Sequence, residues 1–250
     1  MFCKKILCTL GVLFLAASGL WAGDTASFVD LGFSPDGKTY IFAQYGVQSK
    51  TLRPWADLFV VDVPRNNFVS GGRISYTHDK PVVSGQDGSG ALYRIIARNA
   101  SLTDKYQVNY CFQGQPLFIA LDNPGGNLGS AEPRPQAPAA GPVLPEQAPI
   151  EFRDFEIGAS YRATLVPFVE GSGTSLKSSF YINLERTTRD GAKKNYTVGT
   201  PQLKRSLIVS YRIRKVMIAP NDGSMIFVIE MKRLEDGETN IRYMVEAVRL

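Results

Sequence analysis

The sequence predicts a mainly β fold: antiparallel sheets, arranged as a β-sandwich or as partial propeller-like meanders, with one amphipathic helix. Three observations predict it. Short runs rich in Val, Ile, Phe and Tyr recur along the chain, Asp-Gly dipeptides separate several of them, and a single stretch carries apolar residues at helical spacing. The 250 residues, 44% of them hydrophobic, suffice for one substantial core or two small ones.

Residues 1–22 read as a signal peptide, with Lys4 and Lys5 ahead of an apolar stretch that ends in Leu20-Trp21-Ala22-Gly23. Cleavage is placed after Ala22. An uncleaved leader acting as an anchor is the alternative and the only route to a membrane. Export removes Cys3 and Cys8 and leaves Cys111, so no intramolecular disulfide is expected. The apolar neighbours Tyr110 and Phe112 suggest that this thiol is buried and inert.

Residues 28–33, 39–45 and 57–63 read as strands of a meander. Ser34-Pro35-Asp36-Gly37 joins the first two, Pro35 presetting φ and Gly37 supplying a positive φ. Trp55 falls in the longer connection at 46–56, as a cover for a sheet edge and a candidate contact residue. Residues 64–90 read as turn-rich. A single helix over 91–106 follows from Leu92, Ile95, Ile96, Leu102 and Tyr106, with Asp87 or Ser89 as its N-cap. Strands are expected at 106–112 and 115–121.

Residues 23–121 thus form an N-terminal meander plus helix. Residues 122–149, rich in Pro and Gly, read as a flexible linker or loop. Residues 150–250 return to alternation, at 152–157, 160–169, 179–186 and 194–198, with Asp190-Gly191 between the last two, and are expected to share one fold with 23–121. Leu207, Val209, Tyr211 and Ile213 then occupy one face of a long strand and Arg212 and Arg214 the other, which predicts a sheet with one wet side.

Charge is uneven. The formal +5 falls to +3 without the leader's lysines; residues 24–150 hold ten Lys/Arg against eleven Asp/Glu, and residues 151–250 hold sixteen against twelve. The basic excess centres on Lys193-Lys194, Lys204-Arg205 and Arg212, Arg214 and Lys215, a candidate contact surface for a protein or an anionic envelope component. Solvated outer strand faces account for the same residues. No nucleic acid is expected, because the chain is exported and carries no binding module.

The turn returns near the other end, where Asn221-Asp222-Gly223 stands before Ile226-Phe227 as Pro35-Asp36-Gly37 stands before Ile41-Phe42. Each copy is a strand, an Asp-Gly turn, a strand, a connection and a third strand ending in an acidic residue. Ser34-Pro35-Asp36-Gly37-Lys38, with Asp57-Leu58-Phe59-Val60-Val61-Asp62 after it, resembles the WD40-like repeat of TolB-type periplasmic propellers, over about forty residues at each end. The leader, residues 28–37 and Gln86-Asp87-Gly88-Ser89-Gly90 together resemble an uncharacterised family of predicted secreted bacterial proteins. Neither resemblance implies a catalytic residue.

One histidine, His78, and one mature cysteine do not make a conventional zinc site, and His78 reads as a polar loop residue. The sequence has no G-x-S-x-G elbow, phosphate loop or dinucleotide fingerprint, and it implies no metal and no cofactor. Residues 85–90 offer free amides at a helix start, but capping explains them as well. The expectation is an exported, non-catalytic binding or assembly module of the periplasm or cell envelope, making contact through sheet edges and the basic strand. A hydrolytic or ligand-binding enzyme acting on envelope polysaccharide or peptide is the alternative.

Overall fold

The computed structural model describes residues 23–83, 85–121, 144, 147–221, 223–235 and 237–250. The leader at 1–22, its cleavage point, Asp222 and most of the linker lie outside the described residues. Strands β1 (Ser27–Phe33), β2 (Thr39–Val47), β3 (Pro54–Asp62) and β4 (Asn67–Thr77) form a first antiparallel sheet in chain order. The turn between β1 and β2 closes as its letters imply. Gly37 N–H donates to the Ser34 carbonyl at 2.9 Å with Gly37 at φ 70°, while Asp36 Oδ1 accepts from Ser34 Oγ at 2.7 Å and from Lys38 N–H at 3.1 Å.

Strand β4 falls where only turns were expected. Its Gly71-Gly72 pair makes a bulge: Gly71 has φ 70°, the register shifts between Phe59 and Val61, and a Cβ on Gly72 would come within 2.7 Å of the Val60 carbonyl. Trp55 lies inside β3, paired on both sides with Gly46 and Thr77, and is buried, so it does not cover an edge.

The expected single helix is two, α1 (Ser89–Arg98) and α2 (Ala100–Tyr106), broken at Asn99, where the side-chain amide takes the Ile95 carbonyl at 2.7 Å and φ departs to −119°. Ala91, Leu92 and Ile95 bury the apolar stripe of α1 against the first sheet beside Ile41, Leu58 and Val60. The cap residue is Gly88; Asp87 instead accepts from Ser89 N–H and Oγ just ahead of it. Only glycine fits at 88, because a Cβ there would meet the Gly46 carbonyl at 2.3 Å. No strand forms over 106–112. Gln107 turns left-handed at φ 53°, Asn109 makes one isolated bridge to Phe33, and Cys111 in the resulting turn is exposed rather than buried.

Strand β5 (Gln115–Ile119) precedes β6 (Ile150–Asp154), β7 (Ala159–Glu170), β8 (Lys177–Thr187), β9 (Lys193–Val198) and β10 (Arg205–Ser206), and the chain ends in β11 (Ile208–Ile218), β12 (Ser224–Glu235) and β13 (Glu238–Arg249). An outer sheet runs β6–β7–β8, with β9 and β10 both on the far edge of β8, and a middle sheet runs β13–β12–β11–β5. The packed chain resumes before residue 150. Leu144 is buried, and Gln147 bonds through its side chain to both the N–H and the carbonyl of Ile213, at 2.7 and 3.4 Å.

The middle sheet is buried on both faces. Met225, Phe227 and Ile229 join Phe180, Ile182 and Leu184 of the outer sheet in one core; Ile226 and Val228 join Phe33, Tyr40 and Phe42 of the first sheet in another. This explains the unbroken apolar run at 225–229 and overturns the expected wet side of β11. Leu207 is only half-buried at φ 61°, and bulges at Ile208/Ser210 and Ile213/Lys215 reset the alternation, so that Ile208, Tyr211 and Ile213 are the residues that fill the outer core. The molecule is therefore a sandwich-like stack of three sheets with a helix layer, and its two meanders lie face to face. Their turns touch, Asn221 Nδ2 donating to the Pro35 carbonyl at 2.8 Å. Each fully buried Phe, such as Phe33 or Phe227, contributes about 1.5–3 kcal/mol relative to an exposed ring.

Candidate functional site

Strand β13 is an edge strand of the middle sheet, and several of its outward backbone groups are met by residues 24–26 ahead of β1 and by side chains of β2 and the β3–β4 turn rather than by a full neighbouring strand. Ile241 N–H donates to the Asp24 carbonyl at 2.7 Å, and Ala26 N–H returns to the Ile241 carbonyl at 3.1 Å. Tyr243 N–H donates to Gln44 Oε1 at 2.8 Å and Ala247 N–H to Asn66 Oδ1 at 2.6 Å. Residues 241, 243 and 247 thus point outward. The two-residue period of an unbulged strand sends the N–H and carbonyl of Val245 the same way, between the two side-chain amides.

Beyond this edge lies a cleft of about 560 Å³, with β2, β3 and β4 on one side and the β9–β10 connection on the other, within the usual range of ligand sites. Phe42, Phe59, Phe68 and Val245 supply apolar lining, and Arg73, Arg205, Arg233, Arg242, Asp57 and Glu246 supply the charged lining. Glu246 is where the three sheets meet. Asn66 Nδ2 donates to its carboxylate at 2.5 Å, Arg205 stands 3.4 Å away, and a Cβ on Gly199 would lie 3.3 Å from it. Burial pushes the Glu246 carboxyl above the usual range, and the Asn66 and Arg205 bonds oppose that rise only in part.

The arginines differ in how they are held. Arg242 lies 4.1 Å over the Trp55 ring and pairs with Asp24 at 3.1 Å, Arg233 pairs with Glu235 at 3.7 Å, and Arg205 also covers the Phe180 ring at 5.1 Å. Arg73 is exposed. Its guanidinium lies over Phe59 and Phe68 at 5.9 and 5.5 Å and meets no carboxylate among the described residues.

The structure separates the cations singled out in the sequence. Arg205 lines the cleft, whereas Lys204 pairs with Glu170 at 2.7 Å on the outer sheet. Arg212 stands opposite Glu230 in the β11–β12 register, Arg214 pairs with Glu230 at 3.4 Å, and Lys215 crosses to Asp30 of β1 at 2.8 Å. Trp55 sits beneath Arg242, and a Cβ on Gly46 would meet its ring at 3.1 Å. Arg73, Arg233, Arg242 and Glu246 were not singled out, because nothing local marks residues that converge from strands so distant in the chain.

A second cavity, about 600 Å³, lies near the start of α1 between Pro54, Tyr76, His78 and Arg94. His78 Nδ1 is 3.0 Å from the Tyr76 hydroxyl, and Arg98 lies over the Tyr76 ring at 4.9 Å. Among the described residues no group of three or more His, Cys, Asp or Glu side chains is placed to hold a metal ion, and no helix is long and apolar enough to cross a membrane.

A family model described as "Predicted secreted protein (DUF2259)" matches residues 41–249. No curated protein and no solved structure gives a significant match.

Proposed function

Because the chain belongs to this family of predicted secreted proteins of unknown function, we propose that it is an exported binding module of the periplasm or cell envelope that receives an anionic partner in the cleft beside β13. The observation that carries the reading is Arg73, an exposed cation fixed by two aromatic rings at a mixed apolar and basic cleft, with no carboxylate of its own among the described residues. Arg205, from the basic surface expected in the sequence, belongs to the same cleft; Lys204, Arg212, Arg214 and Lys215 serve the reading less directly, each being engaged within the chain. Kinship of the two meanders with WD40-like repeats is part of the same proposal and rests on the matched turns.

The test is in-cell crosslinking from a photoreactive residue placed at Leu203, an exposed side chain at the cleft. A discrete envelope or periplasmic adduct that disappears with Arg73→Glu is expected. Adducts unchanged by that substitution refute the assignment of this cleft.

One observation favours an enzyme as a second reading. Asp57 and Glu246 line the same cleft, and burial raises the Glu246 carboxyl, as hydrolytic acids require. Both carboxylates accept internal hydrogen bonds, from Gln44 and Asn66. Turnover of envelope polysaccharide or peptide that vanishes in both Asp57→Asn and Glu246→Gln would establish this reading over the first.

A further inference from the structure

Resting on the reading of the cleft as a binding site, we propose that its occupant is an extended acidic segment of another polypeptide, docked along β13 as a short added strand. The cleft lies where the next strand of the middle sheet would run. That sheet ends at β13, while β3 and β4 on one side and residues 200–206 on the other line the space beyond. A ligand that follows the edge therefore lies between two walls.

The backbone of β13 sets how the segment is held. Tyr243 and Ala247 have given their N–H groups to Gln44 and Asn66, so the outward N–H and carbonyl of Val245, which meet no partner beyond the sheet among the described residues, form one open rung between two whose donors are taken. A peptide residue opposite Val245 exchanges both bonds there, as in strand addition to a sheet edge. The two amides confine the pairing to that rung, which also guards the edge against indiscriminate pairing with other strands. Recognition on either side falls to side chains: Arg73 and Arg205 take carboxylates, and Phe68, Leu203 and Met244 take apolar groups. An acidic polysaccharide matches the arginines equally but leaves the Val245 rung unpaired. The rung favours a peptide.

The experiment uses the processed full chain and an acetylated, amidated Glu-Val-Glu-Val-Glu peptide, followed by two-dimensional amide NMR. The Val245 amide and the Arg73 side-chain resonance are expected to shift together, and Arg73→Glu is expected to weaken binding about tenfold. Among singly N-methylated peptides, one position is expected to lose about tenfold, the worth of one hydrogen bond, while the others keep their affinity. Indifference to N-methylation at every position overturns strand docking. Binding of a galacturonate oligomer with the peptide silent also overturns it, while leaving an anion-binding cleft in place. Silence of both probes overturns the strand and the cleft assignment together.

Discussion

Asn221 Nδ2 donates to the carbonyl of Pro35 across 2.8 Å, joining two turns 186 residues apart in the chain. The bond is exposed and Asn221 sits at φ 61°, so its amide and its tolerance of the left-handed region are separate contributions. Asn221→Gly keeps the conformation and loses the bond, at an expected cost of about 0.5–1 kcal/mol; Asn221→Ala loses both and costs more. Urea denaturation checks the order of the two variants.

Gly88→Ala is expected to loosen α1 from the first sheet, because its Cβ would meet the Gly46 carbonyl, a backbone atom, at 2.3 Å. Overpacking of this kind costs about 1–3 kcal/mol. Hydrogen exchange should accelerate in α1 and at the end of β2 while the outer sheet keeps its protection.

Lys215 and Asp30 clip the middle sheet to the first at 2.8 Å, with both side chains largely shielded from water. A double-mutant cycle with Lys215→Met and Asp30→Asn is expected to return a coupling of about 0.5–3 kcal/mol, above the value usual for exposed ion pairs. Coupling indistinguishable from zero would show that the pair merely tolerates its position.

Glu246 gives the pH dependence a sign. Its carboxyl is raised in the folded chain, so between the unfolded value and the raised one the folded state binds the extra proton, and stability falls as pH rises through that window. Asp36 works oppositely. The Ser34 hydroxyl and the Lys38 amide lower its carboxyl, so its contribution is present above the unfolded value and is lost as pH falls through the folded one. Denaturation across the acidic range should show the Glu246 component vanish in Glu246→Gln and the Asp36 component vanish in Asp36→Asn.

The parts of this architecture that rest on local chemistry were legible in the sequence. Gly37 and Gly191 occupy left-handed turn positions between strands, and the runs around Phe42, Val60, Ile182 and Phe227 form the cores. The strand β4 was hidden because Gly71-Gly72, which bends a strand, reads locally like a pair that ends one. Arg212 and Arg214 misled for another reason. Charges alternating with apolar residues signal a wet face, but here they lie in a sheet covered on both sides, and Arg214 and Lys215 find acidic partners on β12 and β1. The cleft was invisible, because Arg73, Arg205 and Glu246 converge only once three sheets have stacked.

The same stacking bears on delivery. The apolar side of the amino-terminal sheet, with Phe33, Tyr40 and Phe42, is roofed by Ile226, Val228, Val245 and Ala247, and residues 24–26 run beside Ile241. A polypeptide delivered amino end first therefore leaves this apolar face bare until nearly its last thirty residues arrive. An apolar sheet face left open over that interval invites association with other chains.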